Sequence, residues 1–195
     1  MYHKHHTKGI VIGSNVEGDD SRRVCIFTEN FGLINARVQG ARNVHSKLRT
    51  GSQDFCLGEF SLVHGRAGWK VVSTKSEINI FENLRYSPEK LKIAVNVLNL
   101  IKKLVEEEEV HTPIFFIISN FLNFLREAKE ESVSLSECLV LLRILHSLGY
   151  MREDPDFAIP ILSAEMQTSD LALLAPRRLK MIELINESLK VTHLT

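Results

Sequence analysis

Three cysteines in 195 residues, Cys25, Cys56 and Cys138, are too few and too widely spaced for a disulfide framework, and no C-x-x-C pair begins a zinc ribbon. A reducing compartment follows as the expectation. Long apolar runs are also lacking. The longest, Ile114 to Ile118 followed by Phe121 to Leu125, is too short and interrupted to cross a bilayer, and the opening Met-Tyr-His-Lys-His-His has no apolar signal core. The expectation is a soluble, cytoplasmic, non-exported protein. The Walker lysine motif, the G-x-S-x-G elbow, the H-E-x-x-H pair and any Cys/His set at metal spacing are absent, which weighs against an enzyme. Net charge is missing as well, since 24 Lys and Arg balance 24 Asp and Glu.

That balance conceals an asymmetry. Residues 1–80 carry 11 cationic against 7 acidic side chains and residues 81–195 carry 13 against 17, so the halves stand at +4 and −4. Five of the eight histidines, His3, His5, His6, His45 and His64, fall in the basic half, whose charge therefore grows as pH drops through the histidine range. The densest basic stretch is the loop from Gly40 to Phe55. Its cations Arg42, Lys47 and Arg49 meet no carboxylate before Asp54, and a phosphate backbone is the commonest partner for such a loop.

The hydrophobic period divides the chain near residue 80. Before it, strands are predicted over Lys8 to Gly13, Arg22 to Thr28, Leu33 to Val38, Phe55 to His64 and Trp69 to Ile80, with turns at Glu29-Asn30-Phe31-Gly32 and Gly65-Arg66-Ala67-Gly68. Ile34, Ala36 and Val38 alternate with Asn35, Arg37 and Gln39, so one face is core and Arg37 points outward. Five strands in this length imply a small closed or partly open barrel. From Pro88 the period is helical. One helix runs past Leu104 to an acidic end, Glu106 to Glu109. A second starts at Thr112-Pro113 as N-cap and first helical position and reaches about Glu130. A third opens with Ser134 and Glu137 in capping-box spacing and closes at Gly149. Pro155 and Pro160 mark a loop, and the last helices span about Ala164 to Leu174 and Pro176 to Val191. The fold class is α+β, a barrel domain at 1–80 and an all-α bundle at 81–195.

Arg37, Arg42, Lys47, Arg49, Arg66, Lys70 and Lys75 lie on the strands or their loops, either as a cationic groove for a sugar-phosphate backbone or as an ordinary solvated barrel surface. Phe31, Phe60 and Trp69 are either stacking platforms for unpaired bases or core, with Trp69 at its loop edge the best exposed candidate. His3, His5 and His6 read as a solvated N-terminal strand and not as a metal tract. Glu106 to Glu109 read as a solvated helix end, or as a patch that repels DNA and confines it to the barrel.

Ordered landmarks then become visible: Gly9-Ile10-Val11-Ile12, Ile26-Phe27-Thr28-Glu29 leading to Phe31-Gly32-Leu33-Ile34, Gly40-Ala41-Arg42, Ser46-Lys47-Leu48-Arg49, Gln53-Asp54-Phe55, and a closing strand through Thr74 to Ile78. Together they resemble the N-terminal OB-fold of the RecO recombination mediator family. The helical half is similar more loosely, through Leu141-Leu142-Arg143-Ile144-Leu145, Leu148-Gly149-Tyr150 and the helix from Arg177 to Leu189. The resemblance implies a non-enzymatic DNA repair protein that binds single- and double-stranded DNA, anneals complementary strands and helps load RecA onto DNA coated by single-strand-binding protein, in the nucleoid and with RecR as partner. It gives DNA contact to Arg42, Lys47 and Arg49. Arg37, Arg66, Trp69 and Lys70 are added from strand alternation and loop position. It also implies a helical-domain site for the acidic, apolar tail of single-strand-binding protein, for which Arg126, Arg143, Arg177, Arg178 and Lys180 are the available charges. Many family members carry a four-cysteine zinc site after the segment matching Leu148-Gly149-Tyr150. Here no cysteine follows Cys138 and Met151 to Thr168 is short, so no zinc or other cofactor is expected. Two other readings remain: a protein-interaction scaffold and an RNA-binding OB protein.

Overall fold

The computed structural model describes residues 3–43, 46–163 and 165–192. Strand β1 (Lys4–Glu17) is 14 residues long, enough to serve two neighbours. Its residues from Lys4 to Ile10 pair with β4 (Cys56–Gly65), and those from Gly9 to Glu17 pair with β2 (Ser21–Thr28), with a bulge between Val11 and Gly13. β2 pairs with β3 (Gly32–Val38), and β5 (Gly68–Asn79) pairs with β4. A short parallel contact, Ala36 with Trp69 and Arg37 with Lys70, completes the ring β1-β2-β3-β5-β4 as a closed barrel. The bulge lets one strand bend from one pairing to the other.

The inward face follows the alternation read in β3: Ile34, Ala36 and Val38 are fully buried, beside Val11, Val24, Ile26, Leu62 and Val71. Phe60 belongs to this core at 1% exposure, so it is not a stacking platform. β1 starts four residues earlier and ends four later than expected, because its polar flanks pair as well as its apolar centre. The Gly40–Phe55 loop contains a helical turn, α1 (Leu48–Gly51), whose Leu48 packs on the barrel core. Val44 and His45 of this loop lie outside the described residues.

Two compact units result, Met1–Tyr86 with Val105–Thr112, and Ser87–Leu104 with Pro113–Thr195. The first therefore includes α2 (Ile80–Leu84), capped by Asn79 accepting from the Glu82 N–H, and regains an eight-residue strap beyond the first long helix. That strap explains Gly32. At φ +64° a Cβ there would stand 2.0 Å from the Glu109 carbonyl oxygen, and a backbone atom cannot step aside cheaply. Gly32→Ala is expected to lower stability by about 2 kcal/mol or more in urea unfolding.

The second unit holds α3 (Pro88–Leu104), α4 (Thr112–Glu127), α5 (Glu130–Ser147), α6 (Ala158–Leu162), α7 (Thr168–Leu174), a 3-10 turn at Ala175–Arg177 and α8 (Arg178–Val191). α5 is buried on nearly every side, from Val133 through Cys138 and Leu139 to Leu145, and α3, α6, α7 and α8 pack around it. A helix apolar all round is a central helix.

Several details of the helices differ from expectation. α3 stops at Leu104, so Glu106 to Glu109 do not close a helix. The Thr112 hydroxyl donates to the Glu29 carbonyl (3.2 Å), a use the cap assignment did not foresee. α5 begins at Glu130, where Glu130 and Glu131 complement the positive helix end, so Ser134 and Glu137 are interior and form no capping box. Pro160 sits in the first turn of α6, where its missing N–H costs no helical bond. Ala164, the expected start of the next helix, is outside the described residues, and α7 begins at Thr168.

The segment from Met151 to Leu162 is pinned to its unit. Phe157 (0% exposed) and Ile161 enter the core, and Lys180 of α8 reaches Asp154 and Asp156 at 2.8 Å each. Lys180 holds the Asp154 carboxyl below its ordinary value and is itself raised by both carboxylates. In α5, burial pushes the Glu137 carboxyl up, against the pull of Lys92. A carboxyl raised on folding contributes stability below its unfolded pKa and loses it as pH rises through the folded value. Glu137→Gln is therefore expected to raise the urea midpoint slightly at neutral pH, hydration of the half-exposed group keeping the gain small, and to leave it unchanged in acid, where the carboxyl is protonated in both states.

Candidate nucleic-acid interface

The barrel brings three cations from three strands into one row. Arg23 of β2 pairs in register with Arg37 of β3, and Arg37 with Lys70 of β5. Register partners share a face, and all three side chains are exposed. Their partners are weak: Arg23 meets Glu17 at 2.7 Å, Arg37 reaches the other Glu17 oxygen at 3.8 Å, and Lys70 donates to the Gln39 side chain at 2.9 Å. One carboxylate is thus shared by two guanidinium groups. Exposed ion pairs are worth about 0–1 kcal/mol, so a phosphate replaces them at little cost.

Arg42 lies beside this row, its backbone N–H donating to the Asp20 carbonyl and its guanidinium to the Gly18 carbonyl, 3.4 Å each, at the β1–β2 turn. Arg66 is exposed in the two-residue link between β4 and β5, four positions before Lys70. Lys47 stands at the N-cap of α1 and Arg49 within it, both exposed and without an ion pair among the described residues, and no register ties them to the row. Lys75 pairs in register with Glu59, away from it. Sequence reasoning missed Arg23, although alternation applied to β2 marks it as outward.

Trp69 caps the barrel core and is half-buried. Its ring meets His64 (4.7 Å between centroids), Phe31 (5.1 Å) and His5 (5.7 Å), and its indole N–H donates to Glu108 at 2.9 Å. It is a shared lid, less free than its loop-edge position implied. Phe31 belongs to the same lid. The strap that supplies Glu108 is fastened to β3: Glu107 bridges Leu33, the Glu108 N–H donates to the Leu33 carbonyl (2.9 Å), and Asn35 donates to the Glu107 carboxylate (2.6 Å).

In the helical unit the cations proposed for a peptide tail form no single cluster, although Arg177 and Lys180 meet at Asp156. Arg143 is 1% exposed, its Nε donating to the Pro160 carbonyl at 2.8 Å and its Nη2 facing Asp170 at 3.5 Å, so it cannot rim a surface groove. Lys180 is engaged by two aspartates and Arg178 donates to Ser134. A cleft of about 810 Å³ contains Arg126 and Lys129 but also Glu127, Glu131 and Glu165. A second of about 450 Å³ has the apolar Met151, Pro155, Ile161 and Leu162 beside Glu153 and Asp154. An acidic tail meets like charge in both. Among the described residues no three His, Cys, Asp or Glu side chains converge as a metal site, and no helix is long and apolar enough to cross a membrane.

Residues 1–80, the whole barrel sequence, match the family described as Recombination protein O N terminal. The chain is 32% identical over 125 residues to the DNA repair protein RecO of Alkaliphilus metalliredigens, covering 64% of this chain and 50% of that protein. It is 28% identical over 144 residues to the protein of the same name from Acetivibrio thermocellus, covering 74% and 57%. Residues 1–80 thus match the RecO N-terminal family, and the chain is similar to RecO proteins beyond them. It spans about half the length of these curated RecO relatives. The family match falls on the unit that carries the basic row, while the longer RecO alignments run on into the helices.

Proposed function

We propose that the barrel unit is an OB-fold that binds DNA along its sugar-phosphate backbone, and that the chain serves DNA repair and recombination without catalysing a reaction. The carrying observation is the convergence of Arg23, Arg37 and Lys70 from three strands on one exposed row. Support comes from the ring order β1-β2-β3-β5-β4, since OB-folds bind oligonucleotides on their second and third strands and on the loops joining strands 1–2 and 4–5. Here those loops bear Arg42's contacts and Arg66. The RecO relatives, named for DNA repair, favour DNA over RNA as the ligand. Strand annealing, RecA loading, nucleoid association, RecR and the single-strand-binding protein tail enter as further parts of the same reading, carried by the family resemblance.

The test is fluorescence anisotropy of labelled single-stranded DNA, duplex DNA and RNA with the intact chain across a salt series. DNA binding that weakens log-linearly with salt, by about 0.7 per single-strand phosphate contact, is the expected result. Preference for RNA at equal length assigns the barrel to RNA handling. No binding at low salt leaves the protein-interaction scaffold.

A further inference from the structure

The strap Glu106 to Glu109 is bound on the barrel beside the basic row, which gives four carboxylates a place in recognition that a solvated helix end would not have. Asn35, which holds Glu107, stands two residues before Arg37 on the same outward face of β3, about 7 Å along the strand. Trp69, which holds Glu108, immediately precedes Lys70. All four glutamates are exposed, and Glu108 is kept at φ +62°, a conformation that its backbone bond to Leu33 and its side-chain bond to Trp69 sustain. The strap is thus tied to side chains two residues before Arg37 and one before Lys70, and exposed charges act on one another over roughly 10 Å, the Debye length at 0.1 M salt.

Resting on the DNA reading, we propose that this strap is the specificity-determining element of the barrel, a negatively charged wall that admits one backbone to the row and turns away the second backbone of a duplex. A single strand follows the cations and directs its remaining phosphates away from the wall. In a duplex the opposite backbone lies across a minor groove only about 6 Å wide. With one backbone on the row, the other falls at the distance of the strap. Glu107 and Glu108 therefore act against duplex far more than against single strand.

Replacing all four glutamates by glutamine removes the charge and keeps an acceptor for Asn35 and for Trp69. The variant is expected to bind duplex about tenfold tighter than wild type near 50 mM salt and single strand less than about threefold tighter, with the difference fading at high salt. Emission from Trp69, the single tryptophan, reports whether the strap stays seated. If it shifts, the Glu106→Gln, Glu109→Gln pair, which leaves both hydrogen-bonded carboxylates in place, gives the same comparison at smaller amplitude. Equal gains for the two DNA forms, or none, with wild type binding DNA, overturn the wall and leave the DNA reading standing. Absence of DNA binding by wild type and variant alike overturns both.

Discussion

Alanine at Arg23, Arg37 and Lys70 together is expected to weaken binding to a single strand of about 20 nucleotides some 30- to 100-fold near 0.1 M salt, and to make the log–log salt slope shallower by about 2. Three lost phosphate contacts at about 0.7 released counterions each set both figures. All three side chains are exposed and are held by one carboxylate, one amide and, for Arg37, the Ser21 hydroxyl at 3.4 Å, so the fold should be unaffected, and unchanged urea unfolding checks this. Lysine at positions 23 and 37 restores most of the affinity, because a backbone reads charge before geometry. The control is alanine at Lys47 and Arg49, two cations of the basic loop between β3 and β4. Standing at α1 with no tie to the row, they are expected to cost less than about threefold. A larger loss from that pair than from the row would move the DNA path onto the β3–β4 connection.

The contrast between those two sets marks what was legible in the sequence. Strand alternation exposes Arg37 and buries Ile34, Ala36 and Val38 with no tertiary information, because a period of two is a local property. Which outward residues become neighbours depends on register, and register between β3 and β5 is set by a parallel contact of only two residue pairs. Arg23 was therefore on view as an outward side chain and invisible as Arg37's partner. The strap was the opposite case. Glu106 to Glu109 are conspicuous in the sequence, but their bond to Asn35 spans 72 residues and that to Trp69 spans 39, and nothing local announces either. Gly32 carried the one local trace. Its positive φ suits any turn, whereas the closeness of the Glu109 carbonyl is what excludes a side chain. In the helical unit the periodicity located the long helices and the start of α4 at Thr112, while the start of α5 went astray because Glu130 and Glu131 open that helix before the plausible cap Ser134 is reached.

Arg143→Ala is expected to cost the helical unit about 3–5 kcal/mol, the largest stability loss among the substitutions considered, read as a lower urea midpoint. The guanidinium is fully enclosed beneath α6 and α7, and burial draws its pKa below the usual arginine range against the opposing pull of Asp170. Truncation leaves a cavity of nearly a whole arginine side chain, frees the Pro160 carbonyl from its 2.8 Å partner, and leaves Asp170 without its counter-charge. Arg143→Met separates these effects. It refills most of the volume, and Asp170, 22% exposed, can be hydrated where it stands. The Nη1 atom of the native arginine is itself buried without a hydrogen-bond partner, so methionine also removes an unsatisfied donor. Its cost should therefore be about 1–2 kcal/mol, chiefly the stranded carbonyl. If methionine is as damaging as alanine, the charge and its bonds hold α6 and α7 to α5; if it is nearly neutral, arginine serves there mainly as volume.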